Sequence, residues 1–214
     1  MTFASATSDP CLGHLRRELE GREPRRYERD GDTKEAAVAA ILRPGLSSAG
    51  NSALELLLIE RTHRSDDPWS GHIALPGGRR EGQDPDLLTT ALRETREEVG
   101  LELVSEVDVI GPLDEVRPNT RKLPPLIIAP FVATAPADAE AVPDPREVAA
   151  AFWVPIEKLL AKEAQSEIQV SFGPGEVYFP SIRYRDHHIW GLTHRILFEL
   201  FRRLGALDRL QPPM

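Results

Sequence analysis

The sequence predicts a single α/β domain, because short apolar runs typical of strands outnumber helical segments and two helices have clear signals. Of the 214 residues, 41% are hydrophobic and 28% are charged. These values are close to the averages of globular domains, so the chain has enough apolar material for a core. Strands and helices follow one another without an internal repeat, which favours one α/β domain over an assembly of repeats.

The chain divides into three segments by composition. Residues 1–33 are rich in Arg, Glu and Gly, and we expect an N-terminal arm there. The spacing of Leu12, Leu15 and Leu19 predicts at most one short amphipathic helix within it. Residues 34–206 form the predicted domain, and residues 207–214 a C-terminal tail.

Six segments have strand signals. Residues 35–44 and 53–62 are apolar runs separated by a turn-rich segment, so they predict a hairpin. Further strands are expected at residues 107–110, 126–134, 151–154 and 177–184. A C-terminal helix that faces the core is predicted by apolar residues at helical spacing, namely Leu192, Ile196, Leu197, Leu200 and Leu204.

Composition makes several function classes improbable. No apolar run reaches the roughly 18 to 20 residues that cross a bilayer, and the first residues lack the apolar segment of a secretory signal. Cys11 is the only cysteine, so no multi-cysteine zinc site can form within the chain. The net charge of −8 argues against a general nucleic-acid surface. We therefore expect a cytoplasmic protein without a membrane or nucleic-acid partner.

The second helical segment is the informative one. Asp84 is a good N-cap, Pro85 suits the first helical position, and Gly100 can adopt the left-handed conformation that ends a helix. The sequence therefore predicts a helix from about Pro85 to Val99. An apolar stripe of Leu88, Leu92, Thr95 and Val99 is expected to face the core.

Three glutamates share one face of this helix. Glu94, Glu97 and Glu98 stand at positions i, i+3 and i+4, where like charges repel one another. A divalent cation would remove this repulsion, and a cluster of oxygen ligands suits Mg²⁺ or Mn²⁺. The alternative interpretation of an isolated acidic triplet is a solvated helix face.

The segment from Gly77-Gly78 through Arg93-Glu94-Thr95-Arg96-Glu97-Glu98-Val99-Gly100 strongly resembles the Nudix box of the Nudix hydrolases, G-x5-E-x7-R-E-U-x-E-E-x-G-U. Two positions and one interval depart from it. Asp84 replaces the first Glu, eight residues instead of seven separate it from Arg93, and Thr95 replaces the aliphatic residue U. The resemblance implies an α/β/α sandwich around a mixed sheet and metal-dependent hydrolysis of a diphosphate in a small molecule.

The resemblance also implies roles for individual residues. Glu97 and Glu98 correspond to metal ligands, Glu94 to a ligand or general base, and the carbonyl of Gly77 to a further ligand, while Arg93 would orient the carboxylates. Glu147 precedes a predicted strand that contains a Trp, where many family members place another acid. It is either a fourth catalytic carboxylate or an exposed loop charge. Asp114 and Glu115 are weaker candidates for that role.

Other features are similar to the coenzyme A diphosphatase branch of the family. These features include ALRETREEVGL, EVAAAFWVPIEKLL and IWGLTHRIL. That branch has an upstream signature, L-L-T-x-R-S-x3-R-x3-G-x3-F-P-G-G, which is matched here at five positions (Leu57, Leu58, Arg61, Gly71 and Pro76). However, Asp67 replaces the second Arg, Thr62 the Ser and Leu75 the Phe, and one extra residue lies between Arg61 and Gly71. A missing cation matters because phosphate recognition normally relies on Arg or Lys.

Arg61 and Arg79 are expected either to contact the substrate or to be surface charges. Trp69 is expected either to stack on a base of the substrate or to anchor a loop. Coenzyme A or an acyl derivative is the favoured substrate. The alternative substrates are ADP-ribose, NADH, dinucleoside polyphosphates and modified nucleoside triphosphates. A Nudix-fold module that binds a ligand without catalysis is the alternative from another class. The oligomeric state stays open, with a homodimer among the alternatives.

Overall fold

The computed structural model describes residues 9–45, 54–63, 70–104, 108–118, 125–172 and 175–206. Helices α1 and α2 span Pro10–Glu20 and Leu87–Val99, the short α3 spans Ile156–Leu160, and α4 spans Gly191–Arg203. A 3₁₀ turn covers Lys162–Ala164. The strands are β1 Lys34–Pro44, β2 Leu54–Arg61, β3 Ile73–Ala74, β4 Gly77–Arg79, β5 Val109–Pro112, β6 Leu126–Thr134, β7 Val148–Pro155, β8 Gln165–Phe172, β9 Gly175–Tyr184 and β10 His187–Trp190.

A mixed sheet of seven strands forms the centre of the domain. Strand β1 pairs parallel to β6 and antiparallel to β2 and β4, while β2 also pairs antiparallel with β3 and β7. The predicted antiparallel pairing of residues 35–44 with residues 53–62 is thereby confirmed for β1 and β2. A second sheet contains β8, β9 and β10 in antiparallel order.

The two faces of β1 enter two different cores. Ala37, Ala39 and Ile41 pack with α2, whereas Ala40 and Leu42 pack with α1, α4 and the small sheet. Since successive side chains of a strand point to opposite faces, the central sheet is covered on both sides. The structure is therefore an α/β/α sandwich around a mixed sheet, as the sequence predicts.

The segment expected to form an arm contains a helix that belongs to the packed domain. Leu12, Leu15 and Leu19 are buried and join the same core as α4. Asp9 caps this helix, since its side chain accepts from the backbone N–H groups of Cys11 and Leu12. The boundaries at residues 33 and 206 stay predictions. In the part of the chain that the structure describes, no helix is long and apolar enough to cross a membrane.

Candidate active site and metal centre

The backbones of β4 and β1 approach closely just before the acidic helix α2. Gly77 has φ +148°, and a Cβ atom there would collide with the carbonyl of Ala37 and the backbone of Val38. Gly78 lies equally close to the carboxylate of Glu94. Only glycine fits at Gly77, whereas a Cβ atom at Gly78 would displace the Glu94 carboxylate, so the two glycines let the backbone approach the acidic face of α2.

Helix α2 begins two residues later than the sequence suggests. Asp86 is its N-cap, because the Asp86 side chain accepts from the Thr89 N–H at 2.7 Å. The prediction that Asp84 caps the helix was wrong. The predicted end at Gly100 is confirmed, with φ +68° in the left-handed region.

Asp84 is buried and binds Arg93 instead. Arg93 donates from Nε and Nη2 to the two carboxylate oxygens of Asp84 at 3.1 and 3.0 Å, and the Thr90 hydroxyl donates to the same carboxylate at 2.9 Å. The Arg93 guanidinium holds the pKa of Asp84 well below its usual range. Sequence reasoning missed this role, although the position of Asp84 in the box, where an acid is expected, was a signal for it.

Arg93 joins the loop to the acidic face of α2. Its Nη2 atom lies 3.0 Å from Glu94 Oε1 and donates to the Arg79 carbonyl at 3.1 Å, while Nη1 donates to Glu97 Oε2 at 2.9 Å. This guanidinium is therefore fixed by Asp84 and orients two of the predicted glutamates. Charge-assisted pairs of this kind have directional preference as well as energy.

Three carboxylates from two elements meet beside Gly77. One carboxylate oxygen from each of Glu94, Glu98 and Glu147 lies within 4.8 Å of the other two. Glu147 reaches the group from the loop before β7, where β7 pairs with the end of β2. The structure thus brings together three of the residues that the sequence singled out.

Glu98 is the most deeply buried member, with 2% of its area exposed. Its Oε2 accepts from the Gly77 N–H at 2.8 Å, and its Oε1 lies 3.8 Å from Arg61 Nη1. Burial nevertheless raises the pKa of Glu98 to about 8. Burial also raises the pKa of Glu94, against the opposing effect of Arg93. Both shifts show that negative charge is costly in this group without a compensating cation.

The donor set fits a hard divalent cation. It contains carboxylate oxygens alone, two of them desolvated and all three close together, which is the arrangement that Mg²⁺ and Mn²⁺ bind. A cation would compensate the negative charge whose burial raises the two pKa values. The acidic group therefore has the chemistry of a metal centre.

Glu97 lies apart from this group. Its side chain is 49% exposed and contacts Arg93, although the sequence placed it with Glu94 and Glu98 on one face. The expected stripe also differs, since Leu88 and Leu92 are half-buried and the buried face consists of Thr90, Ala91, Thr95, Glu98 and Val99. Glu98 turns inward with this face, which leaves Glu97 at the rim.

The other predicted residues have mixed positions. Arg61 lies beside Glu98, the Arg79 side chain is exposed, and Trp69 lies outside the described residues, as does Asp67. Asp114 and Glu115 are not part of the acidic group. They bind the segment after α1, since Asp114 accepts from the Arg25 N–H at 2.8 Å and Glu115 from the Tyr27 N–H at 2.7 Å.

A recess of about 320 Å³ is lined by residues of the loop that joins β4 to α2 and by the start of β1. None of the three clustered glutamates lines it. Its lining is polar and consists of Thr33, Lys34, Glu35, Arg80, Glu81, Gly82 and Asp84. The recess is therefore separate from the carboxylate group.

Comparisons with known proteins agree with this geometry. The NUDIX domain model matches residues 33–172. The mitochondrial coenzyme A diphosphatase NUDT8 of Homo sapiens is 33% identical, over 82% of this chain and 72% of its own. An uncharacterized protein of Schizosaccharomyces pombe is 42% identical over 68% of this chain, which spans about half (55%) of that relative's length.

A solved structure supports the fold. The MutT/nudix family protein from Enterococcus faecalis superposes with a TM-score of 0.57 at 17% identity, covering 95% of this chain and 76% of that one. At this identity the likeness shows the fold alone. The family model covers most of the chain, and the sequence, the sheet topology and the acidic helix agree with it. The chain belongs to the Nudix hydrolase family.

Proposed function

We propose that this chain hydrolyses a diphosphate linkage in a nucleoside diphosphate derivative, with Mg²⁺ or Mn²⁺, and that coenzyme A or an acyl derivative is its preferred substrate. The observation that carries the reaction type is the carboxylate group of Glu94, Glu98 and Glu147 beside the backbone of Gly77. The substrate is supported more narrowly, by partial sequence signatures and by the name of one relative.

The residues divide the chemistry among them. Glu98 would hold the ion, Glu94 would be a second ligand or the general base, and the carbonyl of Gly77 would add a backbone ligand. Glu97, whose carboxylate accepts from Arg93, would join as a further ligand from the rim. A divalent ion there would neutralise the charge of the diphosphate and lower the pKa of the attacking water. Glu94 or Glu147 would accept the proton from that water, a contribution of about 10²–10⁴ in rate. Arg93 keeps Glu94 in place.

The positions around the site are consistent with an anionic substrate. Arg61, which matches the upstream coenzyme A signature, lies next to Glu98 and supplies a cation at the site. Arg79 and Trp69 are further substrate contacts in this proposal. ADP-ribose, NADH, dinucleoside polyphosphates and modified nucleoside triphosphates remain the alternative substrates, because Asp67 replaces a cation of that signature.

The cellular setting is also a proposal. We expect a cytoplasmic protein whose partner is a small diphosphate and not a nucleic acid. The human relative is named as a mitochondrial protein, so the compartment of this chain is tested by a separate localisation experiment. The oligomeric state, with a homodimer as one alternative, is measured by sedimentation.

The test is a hydrolysis assay with coenzyme A, ADP-ribose, NADH, diadenosine tetraphosphate and nucleoside triphosphates. We expect coenzyme A to be cleaved best with Mg²⁺ or Mn²⁺, and Glu98→Gln to lower kcat at least about a hundredfold, because an essential charge at the metal is lost. Glu157→Gln is the matched control, since Glu157 is exposed on α3 and makes the same change of charge.

Three outcomes separate the alternatives. Preferential cleavage of another diphosphate rejects coenzyme A but keeps the reaction type. Equal loss in Glu98→Gln and Glu157→Gln rejects the metal centre. Binding of a diphosphate without turnover under any metal condition indicates a module that has lost catalysis.

A further inference from the structure

An apolar stripe crosses the small sheet and ends at His72, whose backbone is hydrogen-bonded to that of Arg61. On the paired strands β8 and β9, Ile168 lies opposite Phe179 and Val170 opposite Val177. Directly opposed residues and residues two positions apart share one face of a sheet, so these four side chains form one surface. Val177 is 40% exposed and the other three are half-buried.

Aromatic rings extend this surface toward the central sheet. Trp190 on β10 pairs with Ser181, two residues from Phe179, and the rings of Phe179 and Trp190 have centroids 5.7 Å apart. The Trp190 ring in turn lies 5.0 Å from the ring of His72. His72 and Trp190 are half-buried. The apolar stripe is thus defined by Ile168, Val170, Val177, Phe179, Trp190 and His72.

The end of the stripe at His72 is joined to the site. The His72 carbonyl accepts from the Arg61 N–H at 3.1 Å, and the Arg61 guanidinium lies 3.8 Å from Glu98. His72 also precedes β3, which leads directly into Pro76 and Gly77. A ligand whose diphosphate lies at the carboxylate group can therefore extend past Arg61 onto the stripe.

We propose that the apolar stripe binds an uncharged aliphatic arm of the substrate, the amide-containing chain that is attached to the diphosphate. This inference rests on the proposed function and names the part of the substrate that the chain recognises. The ring distances and a rise of about 3.3 Å per strand residue give the stripe a length of roughly 17 Å between His72 and Val177.

Charge decides which arm lies there. A base with an additional phosphate requires Arg or Lys for recognition. The stripe contains neither, and the cation on the same face of β9, Arg183, lies two positions beyond Ser181, at the opposite end from Val177. Burial of aliphatic carbons is favourable on such a surface and needs no charged partner. The nucleotide arm is therefore expected on the other side of the diphosphate.

The neighbouring residues Val177 and Tyr178 give a matched pair for the test. Both are exposed, at 40% and 54%, but they point to opposite faces of β9 because they are adjacent in the strand. Val177→Asp places a charge on the stripe, and Tyr178→Asp places the same charge on the reverse face. Neither residue belongs to the proposed metal centre.

The measurement is the binding of coenzyme A and of 3′-phosphoadenosine 5′-diphosphate, which is coenzyme A without the arm, by titration calorimetry with Ca²⁺ in place of Mg²⁺ so that a hard cation is present at the carboxylate group, with turnover checked in parallel by chromatography. We expect the wild type to bind coenzyme A about tenfold more tightly or better than the compound without the arm, because aliphatic carbons of the arm become buried. Val177→Asp should abolish most of this preference, and Tyr178→Asp should retain it.

Three results would overturn the inference. The first is a wild type that binds both compounds equally, and the second is a pair of variants that behave alike. The third is a dimer in sedimentation velocity that Val177→Asp dissociates and Tyr178→Asp leaves intact, which would make the stripe a contact between two copies. Failure of the proposed function is a separate result, because the hydrolysis assay can fail while the calorimetric pattern holds, and the reverse.

Discussion

Two buried threonines of α2 differ in how their hydroxyl groups are satisfied. Thr90 donates to Asp84, which is itself bound to Arg93. The hydroxyl of Thr95 has no hydrogen-bond partner among the residues that the structure describes. Both side chains are fully buried, so the two positions separate the value of a hydrogen bond from the value of burial.

We expect Thr95→Val to raise the free energy of unfolding by about 1 kcal/mol, because it removes a buried polar group that lacks a partner. Thr90→Val should lower it by about 1–3 kcal/mol, because the buried Asp84 loses a donor. Urea unfolding of the wild type and the two variants measures both changes. Destabilisation by Thr95→Val equal to that of Thr90→Val would contradict the assignment.

For individual residues, the sequence predicts which residue types form the site. It does not predict how α2 is rotated about its axis, which decides which glutamates point inward. Glu97 and Glu98 follow Glu94 by three and four positions, so helical spacing alone treats them alike. Packing of Thr95 and Val99 against the sheet decides that Glu98 turns inward. Likewise, local sequence predicts Asp84 as the helix cap. Its actual partner is Arg93, which only the folded helix brings against it.

Helix α1 packs into the core more extensively than its short amphipathic pattern predicts. Three leucines at helical spacing predict an amphipathic segment, and the structure buries all three against α4 and β5. Leu15 is fully buried. This helix therefore contributes to the core of the domain, although it precedes the residues that the family model matches.

We expect Leu15→Ala to lower the free energy of unfolding by about 2–5 kcal/mol, because it removes a buried side chain and leaves a cavity. Glu20→Ala is the control, since Glu20 is exposed at the end of the same helix. Thermal and urea unfolding measure the two changes. An effect of Leu15→Ala as small as that of Glu20→Ala would mean that the helix is a dispensable arm.

Helices and strands with a clear apolar periodicity could be predicted from the sequence. Strands whose conformation depends on pairing with a distant strand could not. The apolar run of β6 and the leucines of α4 locate these elements from local pattern. Strand β8 begins Gln-Ser-Glu and is polar enough to read as a loop, and its strand conformation follows from eight paired positions with β9. Glu147 reaches the site only because β7 pairs with β2 in a register that brings Val148 to Arg61.

For the molecule as a whole, His194 couples stability to pH. It lies on α4 in the core that α1 and the two sheets share, with 2% of its area exposed. Burial lowers the pKa of His194 to about 4. In the unfolded chain the pKa is about 6.5, so unfolding takes up a proton between these values and stability falls as the pH decreases.

We expect the wild type to lose about 2 kcal/mol of stability relative to His194→Met between pH 7 and pH 5, because only the wild type must keep a histidine uncharged in its core. Comparison of the two proteins matters because Glu98, whose pKa is raised, changes stability in the opposite direction. That contribution is common to both proteins and cancels in their difference. Urea unfolding at pH 5, 6 and 7 gives the result, and a difference that stays constant over this range would show that His194 does not control acid stability.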